Sequence, residues 1–355
     1  MKKRLRDLFA HRLLSWFHRS KRDLPWRQTR DPWAIWVSEV MLQQTRVEAV
    51  REHYPQFMQR YPTPAAFAKA TDDELLGAWR GLGYYRRARL LRDGAQAVME
   101  HHGGVVPSDP QTLARLPGIG PYTRGAVASI AFDLPELAVD GNVERVTARH
   151  RGIRELVKSG AGARKVRDAV RGWQDPRQPG DFNQALMELG AVICTPRAPR
   201  CLGCPVARDC DANQHGLQDQ LPVLPARRAP VAVHARALLI DAGNGRLLAY
   251  RVADGEINAG QVDLPGPGIL VSHEGTDLAG TVDERFGIRC QVEGEAATVS
   301  HGITHHRIRL TAHWASFRGR VKKPLLRAAP SDPQVPWTTT ARKVFRQIGL
   351  FATNP

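Results

Sequence analysis

Four cysteines crowd one short, proline-rich stretch: Cys194, Cys201, Cys204 and Cys210, spaced C-x6-C-x2-C-x5-C. Thiolates this close can hold a soft metal centre, and a stretch doing so must fold as a loop around it. Zinc accepts four thiolates, but its sites usually come as two CxxC pairs, and only Cys201 and Cys204 form one here. A single compact loop of four matches iron–sulfur ligation more closely, each thiolate holding one iron of a cubane. Disulfides are the remaining option, disfavoured by the lack of a signal peptide. Cys290 stands far away and reads as a small apolar residue.

The 355 residues suffice for two or three domains with cores of their own, and 42% are hydrophobic. No segment approaches the roughly 18 apolar residues of a membrane span. The formal net charge of +16 points to a polyanionic partner. Arginines such as Arg86, Arg87, Arg89 and Arg92 suit a phosphate partner, because a guanidinium fork grips two oxygens at once.

Residues 1–216 carry apolar positions at helical spacing, separated by Gly/Pro turns. Leu5, Leu8, Phe9, Leu13, Trp16 and Phe17 form one stripe, and Trp33 to Tyr54 a longer one. Residues 217–232 are proline-rich and read as an extended linker. From Val233 the texture changes to short β-rich runs, Val233–Ile240 and Arg307–Ala315. Helices are expected near Thr276–Arg285 and Thr338–Ile348. The second unit, 233–355, therefore reads as a small α+β domain behind an all-α one.

Leu116-Pro117-Gly118-Ile119-Gly120-Pro121-Tyr122-Thr123 stands between two helical stretches. Gly118 and Gly120 permit a tight turn, Pro121 suits a first helical position, and the exposed N–H groups of a helix start attract phosphate. Downstream, Asp140 before Gly141-Asn142 reads as an N-cap. A helix start keeps such a carboxylate ionised, able to stabilise a developing cation. Glu39 has Ile35, Trp36 and Leu42 as its helical neighbours. Burial on that face raises its pKa and makes it a proton donor near neutrality; the bland alternative is a surface or Arg-paired Glu.

Together these segments resemble the adenine DNA glycosylases of the MutY type, within the helix–hairpin–helix base-excision superfamily. The match runs through LPWR (24–27), EVMLQQT (39–45), GLGYYRRAR (81–89), LPGIGPYT (116–123), DGNVER (140–145), NQALMELG (183–190) and the cysteine loop. The resemblance implies a six-helix subdomain at about 25–133 and a cluster subdomain built from 1–24 and 134–216. It implies one [4Fe-4S] cluster on Cys194, Cys201, Cys204 and Cys210. It implies that Glu39 protonates adenine, Asp140 stabilises the oxocarbenium-like sugar, and Tyr122 and Asn142 support them. Trp26, Arg27, Leu42 and Gln184 then line the adenine pocket. Gln44 and Tyr84 wedge into the duplex, and Thr45, Gly118 and Gly120 contact DNA. The related endonuclease III type places a lysine nucleophile where this chain has Tyr122, so base removal without strand cleavage is expected.

The C-terminal region resembles that family's Nudix-like recognition module. Its box is degraded: Gly280, Thr281 and Arg285 occupy the Arg and two of the Glu positions, leaving Glu284. One carboxylate cannot build a magnesium site, so binding and not hydrolysis is expected. Ser300-His301-Gly302-Ile303-Thr304-His305 aligns with the 8-oxoguanine loop, with Ile303 replacing an aromatic and Thr304 and His305 left as contacts. The implied protein is a monomeric, cytoplasmic, bacterial enzyme. It acts on double-stranded DNA containing A:8-oxoG or A:G mispairs, without a membrane partner. A bifunctional glycosylase/lyase, a non-catalytic lesion-binding protein and a ferredoxin-like electron carrier are the alternatives.

Overall fold

The computed structural model describes residues 2–226, 228–273 and 277–350, with side chains from residue 8 onward. Leu5 and Thr276, named above, therefore fall outside the described side chains and residues. The chain divides into two compact units: Met1–Ala70 with Gly81–Ala226, and Thr71–Arg80 with Arg227–Pro355.

The first unit is helical. It comprises α1 (Lys2–Ser20), α2 (Pro32–Leu42), α3 (Val47–Arg60) and α4 (Pro64–Ala68), with α5 (Asp72–Ala78) falling in the segment grouped with the second unit. It continues with α6 (Arg86–His101), α7 (Pro110–Leu113), α8 (Pro121–Phe132), α9 (Gly141–Arg151), α10 (Gly160–Trp173), α11 (Pro179–Val192) and α12 (Asp211–His215). Helix α2 starts where Asp31 accepts the N–H groups of Trp33 and Ala34 and Pro32 takes the first helical position. Every residue from Trp33 to Met41 is buried, so α2 is a central helix, packed on α3, α6 and α8. The apolar stripe from Trp33 to Tyr54 is two helices and not one. The chain turns through Gln43–Arg46, with Gln44 in the left-handed region at φ 59°. No Gly or Pro marks the break, which is why periodicity runs across it.

A second core joins α1, α9, α10 and α11 through Phe9, Leu13, Phe17, Val146, Val170, Phe182 and Leu186. Phe9 stacks on Trp173 at 4.1 Å between centroids. Cys194 and Cys204 pack against this core. Leu8 of the first stripe is instead exposed. Leu221, in the proline-rich segment, is buried, and its carbonyl accepts from Arg149 Nε at 2.9 Å, so that part of the segment is docked on the first unit.

The second unit holds two three-stranded sheets. One has the order β1 (Val231–Ile240), β5 (His306–Arg318), β4 (Arg289–Ile303), with β1 parallel and β4 antiparallel to β5. The other orders β3 (Val262–Asp263), β2 (Leu247–Arg251), β6 (Leu325–Ala328). Helices α13 (Leu278–Phe286) and α14 (Thr339–Gln347) fall within two residues of the expected segments. Strand β4 carries two bulges, near Val292–Gly294 and Glu295–Ala297, and they break the period-2 signal that would have announced it. Among the described residues no helix is long and apolar enough to cross a membrane.

Candidate active site

The Leu116–Gly120 turn delivers Tyr122 into the first turn of α8. Gly118 sits at φ 79°, where an L side chain is strained, and a Cβ there would meet Leu90 Cβ at 3.0 Å. Gly120, expected to share that role, is extended at φ −86°, and its missing Cβ faces open space at the start of α8. Tyr122 is thereby brought onto α2, whose Glu39 is 5% exposed. The Tyr122 hydroxyl donates a short hydrogen bond to Glu39 Oε2 and lies 3.2 Å from Met187 Sδ.

Burial pushes the Glu39 carboxyl up to about 7, against the Tyr122 hydrogen bond and the nearby Arg27 charge; the Asp140 carboxylate adds to the rise. Burial and the same two carboxylates hold the Tyr122 phenol well above its ordinary value, so it stays protonated and donates. Glu39 and Asp140, 101 positions apart in sequence, therefore share one electrostatic neighbourhood.

Asp140 is the N-cap of α9. One oxygen accepts Val143 N–H at 2.8 Å and the other Asn142 Nδ2 at 2.8 Å. The cap is present as expected, yet burial shifts this carboxyl upward despite those bonds and Arg145. Asn142 is fixed in turn by Arg145 Nη2 at 2.7 Å, which also donates to Gly190 O at 2.9 Å. Gly190 is required by proximity: a Cβ there would stand 2.6 Å from Asn142 Cβ. Asn183, fully buried, receives Ala138 N–H and donates to Ser129 Oγ and Glu136 O, tying down the segment before Asp140.

Glu188 was not anticipated. It is almost fully buried and takes a two-pronged ion pair from Arg22 and a 2.8 Å bond from Arg27 Nη2. Burial works against ionisation, but the hydrogen bonds and charges of Arg22 and Arg27 prevail and hold its carboxyl at about 2. A Glu flanked by Met187 and Leu189 in a helix was the available signal. Of the four expected pocket residues, Arg27 and Gln184 line one cavity of about 200 Å³, with Thr29, Arg30 and Ile130. Trp26 is 6% exposed against the edge of Tyr54, and Leu42 closes α2; neither lines that cavity.

Gln44 and Tyr84 both have positive φ, 59° and 48°, and both are exposed, Tyr84 by 52%. Thr45 Oγ1 donates to Leu82 O at 3.2 Å, linking the two loops. Two arginines read as phosphate-facing turn inward: Arg87 donates to carbonyls around both loops, and Arg92 to Ala70 O at 3.1 Å. Buried carbonyls need donors, and the guanidinium fork satisfies several at once.

The four clustered cysteines line one cavity with Arg149, Ile193 and Ala212. Arg149 braces it, donating to Thr195 O at 2.7 Å and lying 3.4 Å from Cys194 Sγ. Burial pushes the Cys204 thiol up to about 12, and the charges of Cys194, Cys210 and Cys201 add to this. Among the described residues no group of three or more His, Cys, Asp or Glu is placed to hold a single metal ion. In the second unit, Thr304 at φ 52° and His305 form the two-residue tip between β4 and β5, Thr304 exposed and His305 half-buried. Ile303 packs partly onto that unit's core. Arg285 of α13 binds Glu256 and the carbonyls of Gly266 and Pro267. A cavity of about 460 Å³ on this unit, lined by Arg236, Arg309 and His313, contains none of the expected residues.

The model of the HhH-GPD superfamily of base excision DNA repair proteins matches residues 37–173. A rat protein called adenine DNA glycosylase is 48% identical over 226 residues, 61% of this chain and 44% of the relative. One of that name from Mycobacterium tuberculosis is 44% identical over 197 residues, 55% of this chain and 64% of the relative. The chain thus spans less than half the length of the rat relative. A thermostable thymine-DNA glycosylase of known structure is 30% identical, with a TM-score of 0.55 over 60% of this chain and 98% of its own. Matching relatives come from eukaryotes as well as bacteria, so they do not assign this chain to bacteria.

Proposed function

This chain belongs to the HhH-GPD superfamily of base excision DNA repair proteins, and from that premise we propose that it removes adenine mispaired with 8-oxoguanine or guanine. It acts as a monomer on double-stranded DNA, hydrolysing the N-glycosidic bond without cutting the strand. The observation that carries this reading is the buried Glu39, held at about 7 beside Tyr122 and Asp140.

The target bond is shielded inside a duplex, so the nucleotide must be extruded before reaction. Adenine leaves poorly unless its ring is protonated. A carboxyl near 7 is half protonated at neutral pH and can give that proton as the bond breaks. Tyr122 and the α2 packing fix its direction. Positive charge then grows on the sugar, and the negative charge of Asp140, aimed by Val143 N–H and Asn142, stabilises it. Water completes the hydrolysis, as in other two-carboxylate glycoside cleavages. Tyr122 supplies no amine for a Schiff base. Arg27, held by Glu188, and Gln184 are assigned the polar edges of the purine by the family resemblance; the cavity they share is not lined by Glu39, Tyr122 or Asp140.

Cys194, Cys201, Cys204 and Cys210 line one cavity as four soft donors, and that donor set in a single compact loop fits one [4Fe-4S] cluster. When bound, such a cluster supplies a rigid brace for a loop bearing Arg197, Arg200 and Arg208, which face solvent and suit phosphates. Thr304 and His305 are the contacts for 8-oxoguanine, and the second unit binds without hydrolysing.

A single-turnover assay on an A:8-oxoG duplex tests the reading. Base release with nicking only after alkali is expected. Spontaneous nicking with borohydride trapping would favour a lyase, and binding without release would leave a lesion-binding protein.

A further inference from the structure

Arg87 stands in the first turn of α6, in a run of arginines that reads as a phosphate-binding face. Its guanidinium instead reaches the C-terminal end of α2. Nη1 donates to Val40 O at 2.6 Å, to Met41 O at 3.0 Å and to Gln43 O. The last carbonyls of a helix have no partner within it and carry the negative end of its dipole, so a cation there satisfies both needs. The other nitrogen serves a second loop as well as the first. Nη2 donates to Thr45 Oγ1 at 3.0 Å, Leu82 O at 3.1 Å and Gly83 O at 3.2 Å. The guanidinium carbon also lies 5.5 Å from the Tyr84 ring centroid.

One side chain therefore clasps the two segments that carry Gln44 and Tyr84. Both residues are non-glycine, both have positive φ, and both are exposed. Such a conformation is unfavourable for an L residue and persists only where the surroundings over-determine it. Here the surroundings include six acceptors that share the four N–H hydrogens of the two Arg87 Nη atoms, together with the Thr45–Leu82 link. Lysine could not replace it, since a point charge with one nitrogen cannot serve six acceptors on two loops.

We propose that Arg87 is a positioning residue that holds Gln44 and Tyr84 at a set height and separation, and that extrusion of the target base depends on this clasp. The proposal rests on the glycosylase reading above, in which those two side chains enter the duplex. Arg87 does not touch the extruded base; it acts through the two loops.

The test compares wild-type holoprotein with Arg87→Ala and Arg87→Lys, using duplexes that carry 2-aminopurine next to the target adenine. Fluorescence reports unstacking, and acid quench reports base release in the same single turnover. In both variants unstacking is expected to fall roughly tenfold, the shift set by relaxing one strained loop. Release should fall in proportion. The pH profile and the visible absorbance of Arg87→Lys should remain those of wild type, while its unfolding midpoint should fall modestly, because carbonyls of both loops lose a donor. Adding Arg87→Lys to Gln44→Ala plus Tyr84→Ala should then cost little, because the residues it positions are gone. If Arg87→Ala gives no folded protein, Arg87→Lys decides, since it keeps the charge and loses the fork. Normal unstacking in Arg87→Lys, or a loss of release with unstacking intact, would overturn the clasp. A full extra loss on top of the double variant would overturn it too. Absence of release from the wild type would instead overturn the glycosylase reading.

Discussion

Replacing Glu39 by glutamine should slow base release by orders of magnitude and stabilise the fold, and the stabilisation should depend on pH. The folded protein holds this carboxyl at about 7, against an ordinary value of 4.5. Each unit of pKa corresponds to about 1.4 kcal/mol, so keeping Glu39 ionised within the fold costs about 3 kcal/mol above pH 7. Below pH 4.5 the group is neutral in both folded and unfolded chains, and that cost vanishes. Stability from this site is therefore fully present below pH 4.5 and is lost as pH rises through 7. Glutamine is neutral throughout and can still accept the Tyr122 hydroxyl. Glu39→Gln should then exceed wild type in stability by about 3 kcal/mol at pH 8 and match it near pH 4.5. Single-turnover release should fall by about 10²–10⁴, the usual worth of a positioned acid. Wild-type release should be highest with Glu39 protonated and decline about tenfold per pH unit above 7. Denaturant titrations at both pH values and acid-quench release on an A:8-oxoG duplex supply the measurements. A stability gain that does not shrink on acidification, or release that stays flat across pH 6 to 8.5, would refute the buried-acid reasoning.

Gly190→Ala places a methyl 2.6 Å from Asn142 Cβ; release should fall roughly a hundredfold through misplacement of Asp140's partner, with duplex affinity preserved. Glu188→Ala leaves Arg22 and Arg27 without their carboxylate, and chemical denaturation should show a loss of about 3–5 kcal/mol. Cys201→Ser should lower bound iron and duplex affinity together, measured by metal analysis and a salt titration; normal iron would reject the ligand assignment. Thr304→Gly with His305→Ala should leave adenine release from A:G intact and narrow the preference for A:8-oxoG, read from paired single-turnover rates.

Some of the site was readable because its residue types are costly where they stand. A Glu among Ile35, Trp36 and Leu42 announces burial, and it is buried. An Asp before Gly141-Asn142 announces a cap, and it caps α9. Glu188 gave a weaker signal, because a helical Glu is usually solvated and its partners come from 161 and 166 positions away. Arg87 was misread for the same reason: local composition records a charge, not which carbonyls will be left unpaired beside it. The break between α2 and α3 was invisible because the left-handed turn at Gln44 uses no residue that prefers one. Strand β4 was missed because bulges shift its faces partway along.

Residue order alone decided the helical and β-rich halves, the positions of the caps and the hairpin, and the grouping of four thiols, since each depends on neighbours within a few positions. The folded chain decided the acid strengths of Glu39 and Glu188, which differ by roughly five units in opposite directions from one starting value. Desolvation and ion pairing sum over everything nearby in space, and α1, α2, α8, α9 and α11 meet only once the chain has packed.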